Sequence, residues 1–148
     1  MEHVKVREMI VEDIEEVYDI EKRCFAIPWS KESFFAEIQN NKSARYVVLE
    51  IDGKVVGYGG MWKILDEGHI TNIAVHPDVR GRGYGNLLVE GLLEVADKEE
   101  IKRMTLEVRS SNKVAQNLYK KYGFEPCGIR PKYYQDNNEN AVIMWREN

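Results

Sequence analysis

Six residues, Arg80-Gly81-Arg82-Gly83-Tyr84-Gly85, have the types and spacing to hold an anion. Alternating glycines let the backbone take positive φ and approach a ligand closely. Successive N–H groups in such a turn form a concave nest, and a helix starting there adds its positive end. Two arginines add charge-assisted hydrogen bonds. The predicted ligand group is a phosphate or pyrophosphate. Two nucleotide motifs fail by spacing. A P-loop needs GxxxxGK followed by Ser or Thr, and the dinucleotide fingerprint GxGxxG needs glycine where Asn86 stands. The bland alternative is a turn that only connects two elements.

The elements around this turn follow from periodicity. His3–Glu8 alternates about Val4 and Val6 and is predicted as a strand. Ile14, Val17, Tyr18, Glu21 and Cys24 mark one face of a helix over 11–25, stopped by Pro28. Ser30 suits the N-cap of a second helix, SKESFFAEIQN. Two strands, 45–51 and 54–65, meet at Asp52-Gly53, a strong hairpin signal. Gly57, Gly59 and Gly60 weaken the second and allow a bulge or a close backbone approach. A turn at Asp66-Glu67-Gly68 leads to a strand over 69–75, which feeds the glycine turn and a helix striped by Leu87, Leu88, Leu92 and Val95. Then come a strand, RMTLEVR (103–109), a helix capped by Asn112 and ended by Gly123, and two strands joined by the polar loop KYYQDNNEN. The order β-α-α-β-β-β-α-β-α-β-β predicts one α/β (α+β) domain over 1–148, with a mixed, mostly antiparallel sheet flanked by about four helices.

Composition narrows the function classes. The chain has 148 residues, with 21 basic and 25 acidic residues and a net charge of -4. That balance speaks against non-specific nucleic-acid binding. Cys24 and Cys127 lack metal spacing and are expected as buried free thiols in a reducing cytoplasm. His3, His69 and His76 form no HExxH or Cys/His cluster, so no metal is expected. The N-terminal MEHVKVREM carries no apolar leader, and no apolar run reaches the ~18–20 residues of a membrane span, so neither membrane association nor export is expected.

The segment Asn72-Ile73-Ala74-Val75-His76-Pro77, with Arg80, Gly83 and Gly85 in the fixed places of the motif Arg/Gln-x-x-Gly-x-Gly/Ala, resembles the coenzyme-binding signature of the GNAT superfamily of N-acetyltransferases. The resemblance implies the GNAT fold and acetyl-CoA as cosubstrate. It also implies that the backbone of Ile73, Ala74 and Val75 pairs with the pantetheine arm, while Arg80, Gly81, Arg82, Gly83, Tyr84 and Gly85 hold the pyrophosphate. Three further segments, CFAIPWS, LEVRSSNKVAQNLYKKYGF and IRPKYYQDNNENAVIMW, are similar to the RimI-type branch, which acetylates the N-terminal alanine of the eighteenth small-subunit ribosomal protein. The archaeal N-terminal acetyltransferases share much of this pattern. A protein N-terminus is therefore the implied partner.

Acetyl transfer requires a neutral amine to attack a thioester. An α-amine, with pKa of about 7.7–8.0 against about 10.4 for lysine, is partly neutral at pH 7. A partly desolvated carboxylate can take the remaining proton, and the departing thiolate needs a hydrogen bond. By resemblance, Glu107 is the general base, Tyr119 the general acid and a coenzyme contact, and Asn112 a coenzyme contact. Pro28, Trp29, Tyr133 and Tyr134 would flank the peptide. Spacing alone leaves other roles open. Glu107 could pair with Arg109 or another cation, and Tyr119 falls on the packing stripe Ala115, Leu118, Tyr119, Tyr122. Trp29 suits a helix junction, and the two tyrosines a hairpin tip. Glu67 and His69 are rival bases. Acetylation of a small amine such as a polyamine or aminosugar, or coenzyme binding without turnover, are the alternative activities.

Overall fold

The computed structural model describes residues 3–148; Met1 and Glu2, the start of the N-terminal segment expected to lack a leader, lie outside the described residues. Seven strands form one sheet in the order β1-β2-β3-β4-β5-β7-β6. They are β1 (Val4–Glu8), β2 (Ala44–Ile51), β3 (Lys54–Ile64), β4 (Glu67–Val75), β5 (Arg103–Arg109), β6 (Glu125–Arg130) and β7 (Ala141–Glu147). Four α-helices accompany them: α1 (Ile14–Cys24), α2 (Lys31–Gln39), α3 (Tyr84–Lys98) and α4 (Lys113–Lys121). Every neighbouring pair is antiparallel except β4–β5, which is parallel. This is the mixed, mostly antiparallel sheet with four helices that the sequence predicts.

The boundaries differ in two places. Val11–Asp13 forms a 3-10 turn before α1, because the Asp13 carboxylate turns back to accept from the Ile10 N–H at 2.8 Å and clasps Arg7. The turn before β4 shortens to Leu65-Asp66, and Glu67 and Gly68 join the strand by pairing with both β3 and β5.

Each sheet face carries its own apolar core. One gathers Leu49, Met61, Leu88, Leu92, Met104, Tyr119, Phe124 and Met144, with α3 as its main helix. The other gathers Ile14, Val17, Ile20, Phe34, Val48 and Tyr58 under α1 and α2. Two of the β3 glycines serve the first core: a Cβ at Gly57 would stand 3.1 Å from Leu88 and one at Gly59 3.2 Å from Leu92, so α3 lies directly on the strand. Truncating either leucine to Ala would cost about 2–5 kcal/mol.

Cys127 corrects the expectation of a buried thiol: it is exposed. β6 is the edge strand, and Cys127 is the extra residue between the pairs Pro126↔Met144 and Gly128↔Ile143. A bulge on an edge strand leaves its additional residue unpaired and turned outward. Cys24 is half-buried.

Candidate active site

The site exists because two parallel strands part. β4 and β5 pair only over Glu67↔Arg103, Gly68↔Met104 and His69↔Thr105. Beyond that point each keeps its outer neighbour, β4 on β3 and β5 on β7. The cause is local. In the β3–β4 register Gly60 faces Asn72 and Met61 faces Ile70, so Thr71 is one residue too many on β4. A bulge bends its strand and increases its twist. This one falls two residues after His69, the last residue paired with β5. It also resets the alternation. Ile70, Ile73 and Val75 pack on the α3 core, whereas Ala74 joins the core under α1 and α2.

The opening between the strands is a cleft of about 610 Å³. Thr71, Asn72 and Ile73 of β4 form one side and Glu107, Val108 and Arg109 of β5 the other. Asn112, Ala115 and Tyr119 of α4 close one end. The remaining walls are Glu21 with the α1–α2 connection (Phe25, Ala26, Ile27, Trp29), and the β6–β7 loop (Tyr133 to Asp136).

The anion turn stands at the start of α3. Gly81 and Gly83 both take left-handed φ, +81° and +80°, which side-chain-bearing residues resist. Gly83 is the N-cap of α3 and offers no side-chain cap, so the leading N–H groups of the helix address whatever lies beyond it. The two arginines divide. Arg82 is exposed. Arg80 folds back: its Nε donates to the Val75 carbonyl at 3.2 Å, and an Nη lies 3.1 Å from Cys24 Sγ. It thereby ties the end of β4 to α1. Tyr84 is buried in the α3 core.

Tyr119 and Glu107 enter the cleft from neighbouring elements. Asn112 caps α4, its Oδ1 accepting from the Ala115 N–H at 3.0 Å, a bond of about 1 kcal/mol. Buried Gln116 then donates to the carbonyls of Arg109 and Ser110 at 3.0 and 3.1 Å, fixing α4 against the end of β5. Those two bonds set Tyr119 relative to Glu107. Tyr119 is 9% exposed, with its ring edge-on to Phe124, and burial followed by the nearby Tyr134 pushes its hydroxyl pKa well up. It therefore stays protonated and keeps a hydroxyl proton to donate into the cleft. Glu107 faces away from the core residues Leu106 and Val108 and pairs with Arg130 at 3.3 Å. The cation-pairing role left open by spacing is thus occupied, but by Arg130. Arg109 instead binds Asp136 through two 3.0 Å bonds and Glu139 at 3.3 Å, and lies 4.0 Å over the Tyr134 ring.

Trp29 fills two positions at once: it packs on Phe34 at 5.4 Å between ring centroids and lines the cleft. Pro28, exposed beside it, is not among the lining residues. Tyr133 and Tyr134 meet edge-on at 5.1 Å and both line the cleft. Burial pushes the Tyr134 hydroxyl up to about 12. The rival bases lie elsewhere. His69 and Glu67 contact each other at 3.4 Å on the paired half of β4, with His69 against Trp145, and neither lines the cleft. Among the described residues, no group of three or more His, Cys, Asp or Glu could hold a metal ion, and no helix is long and apolar enough to cross a membrane.

Sequence reading missed Glu21. It is 3% exposed, lines the cleft, and accepts from the Tyr58 hydroxyl in a short bond, from the Trp29 N–H at 3.0 Å and from Asn72 Nδ2 at 3.4 Å. Burial pushes its pKa up, opposed by those three donors. In sequence it was one more position on an apolar helix face, and only its partners on β3, β4 and the α1–α2 connection distinguish it.

A bulge-opened sheet, an uncapped helix behind a glycine turn, and a carboxylate with a buried tyrosine between them define a group transferase for a long, phosphate-bearing acyl carrier. Residues 14–124 match the acetyltransferase (GNAT) family, and the chain belongs to that family, an acetyl-CoA-dependent N-acetyltransferase. A Bacillus subtilis protein provisionally named a ribosomal protein bS18-alanine N-acetyltransferase is 48% identical over 140 residues, covering 95% of this chain and 93% of the relative. The crystal structure of the ribosomal-protein-S18-alanine N-acetyltransferase from Escherichia coli superposes with a TM-score of 0.90 at 33% identity, over 98% of this chain and 94% of that one. Ard1 from Thermoplasma volcanium is similar at a TM-score of 0.88 and 31% identity, over 97% of both chains.

Proposed function

We propose that the chain transfers the acetyl group of acetyl-CoA to the α-amine of the N-terminal alanine of ribosomal protein bS18, in the cytoplasm and as one domain spanning 1–148. The observation that carries this reading is the cleft at the parted strands. It is walled on one side by the α1–α2 connection and on the other by the β6–β7 loop, a corridor suited to a chain end. The relatives named for this acceptor support it.

The pantetheine arm would pair with the edge of β4 at Ile73–Val75 that β5 has vacated. Its pyrophosphate would rest on Gly81–Gly85 and Arg82. The incoming amine gives its proton to Glu107 as nitrogen bonds to the thioester carbon, and a tetrahedral intermediate forms. Collapse breaks the carbon–sulfur bond, and the departing thiolate accepts a hydrogen bond from Tyr119. A phenol raised above its ordinary value of about 10 keeps its proton beside a thiol of about 8.5, so Tyr119 stays protonated while Glu107 returns its proton to solvent and the released thiolate is protonated there. No acyl-enzyme is needed, and neither cysteine takes part.

Thiol release from acetyl-CoA, measured with an alanine-starting bS18 peptide, an internal-lysine peptide and a panel of small amines, tests the reading. We expect kcat/KM for the first to exceed the others by about 100-fold. Release with small amines alone, or no release with any acceptor despite coenzyme binding, overturns it. Glu107→Gln should lower kcat by about 100-fold or more, a typical general-base contribution, and leave acetyl-CoA affinity within twofold. The deficit should shrink at high pH, where the amine arrives neutral. Parent-like rates from pH 6 to 9 would remove Glu107 as the base.

A further inference from the structure

The Glu21 carboxylate joins four parts of the molecule. It belongs to α1. One oxygen accepts from the Trp29 N–H at 3.0 Å, in the connection that forms the acceptor-side wall. The other accepts from the Tyr58 hydroxyl on β3 and from Asn72 Nδ2 on β4. Asn72 also lies 3.2 Å from the Tyr58 hydroxyl and accepts at Oδ1 from Thr71 Oγ1, the bulge residue, at 3.0 Å. A buried carboxylate is costly to keep unless its lone pairs are filled. Two of the three donors that fill them, Trp29 and Asn72, line the cleft, and the third, Tyr58, is buried behind them on β3. Burial raises its pKa, as expected of a group enclosed by protein.

We propose that Glu21 is a positioning residue for the acceptor: by holding the Trp29 backbone against Asn72 beside the β4 bulge, it fixes the distance between the peptide wall and the coenzyme strand. It is not the base. Its oxygens are already occupied by three donors, while Glu107, bound to an exposed arginine, can meet an incoming amine. The inference rests on the proposed entry of the acceptor between the two walls.

A hydrogen-bonding role and a charge role predict different behaviour of the isostere. In Glu21→Gln the amide oxygen can still accept from Trp29 N–H. Its NH2 can donate to the Tyr58 hydroxyl, which accepts as readily as it donates, while the Asn72 amide flips. Glu21→Ala keeps none of this. Initial rates with the alanine-starting peptide and binding of acetyl-CoA by calorimetry separate the cases. We expect Glu21→Ala to raise the acceptor KM at least tenfold, with kcat within threefold and acetyl-CoA affinity within twofold. Glu21→Gln should return the acceptor KM to within threefold of the parent. Tyr58→Phe, which removes one donor and keeps the packing volume, should raise the acceptor KM several-fold without moving coenzyme affinity, and it decides the matter if the alanine variant does not fold. A fall in kcat at constant acceptor KM, an equal loss of coenzyme affinity, or a glutamine variant as impaired as the alanine one overturns the assignment. Failure of the parent itself on this peptide would instead count against the proposed acceptor. The same variant ratios would then be read with whichever amine the parent acetylates.

Discussion

The two walls of the proposed acceptor cleft are held by opposite electrostatic means. The α1–α2 wall hangs on Glu21, a carboxylate buried among a tyrosine, an asparagine and one backbone N–H, whose pKa is pushed up by burial. The β6–β7 wall hangs on Arg109, a partly exposed guanidinium that binds Asp136 and Glu139 and stacks on Tyr134. Glu139 is anchored by Ser111 at 2.7 Å as well as by Arg109, and its pKa is drawn down to about 2. One wall is set by directional hydrogen bonds with little formal charge. The other is a cluster of ions that salt can reach. The first should be rigid and insensitive to conditions, the second adjustable.

The largest effect expected from breaking this pairing is at Arg109. Arg109→Met keeps much of the stem over Tyr134 but removes the fork that binds two carboxylates. Hydrogen bonds to charged groups contribute about 1.5–3 kcal/mol each, so losing the set should weaken acceptor binding by about 10- to 100-fold. The acceptor KM should rise accordingly, with acetyl-CoA affinity by calorimetry nearly unchanged, because no residue of the glycine turn lines the cleft that Arg109 helps to wall. A matched loss of coenzyme affinity would mean that the loop supports the whole domain and not one wall.

A smaller effect should come from salt. Exposed ion pairs are screened within about 10 Å at 0.1 M salt and within about 3 Å at 1 M. Raising NaCl from 0.1 to 1 M at saturating acetyl-CoA should increase the parent acceptor KM about two- to fivefold for an uncharged peptide. Arg109→Met should lose that dependence, whereas Glu21→Gln should retain it. A salt response that survives in Arg109→Met would place its source outside the β6–β7 loop.

The difference between the walls also explains what could be read before the structure. The glycine turn and the α4 cap were legible because their devices are local. Gly81, Gly83 and the start of α3 are contiguous, and the Asn112 cap reaches only to Ala115. Element order and the antiparallel sheet followed from periodicity for the same reason. The cleft walls depend on contacts between segments far apart in sequence. Glu21 meets Tyr58 and Asn72, 37 and 51 residues away. Arg109 meets Asp136 and Glu139, 27 and 30 residues away. Spacing left Glu107 to pair with Arg109 or another cation, and only the neighbouring strands show that the cation is Arg130. Thr71 gave no sign of being a bulge, because a bulge is a property of two strands in register.

The finest test of the contrast is the pH dependence of stability, where the two walls have opposite signs. Glu139 is depressed in the folded protein, so its contribution is present above its ordinary value of 4.5 and is lost as pH falls toward 2. Glu21 is raised, so the folded state binds more protons than the unfolded one. Its cost therefore grows as pH rises from 4.5 through the raised value and is constant above it. Subtracting the parent Tm from each glutamine variant at successive pH values removes the common background. As pH rises from 4.5 the difference for Glu21→Gln should climb, whereas that for Glu139→Gln should fall between pH 2 and 4.5 and stay level above it. For a chain of this length, a change of about 1 kcal/mol moves Tm by about 2–4 °C, so both slopes lie within reach of calorimetry. Any hydrogen bond weakened by the amide adds a pH-independent offset and leaves the slope untouched. Parallel slopes for the two variants would show that the walls do not differ in the way the buried carboxylate and the ion cluster require.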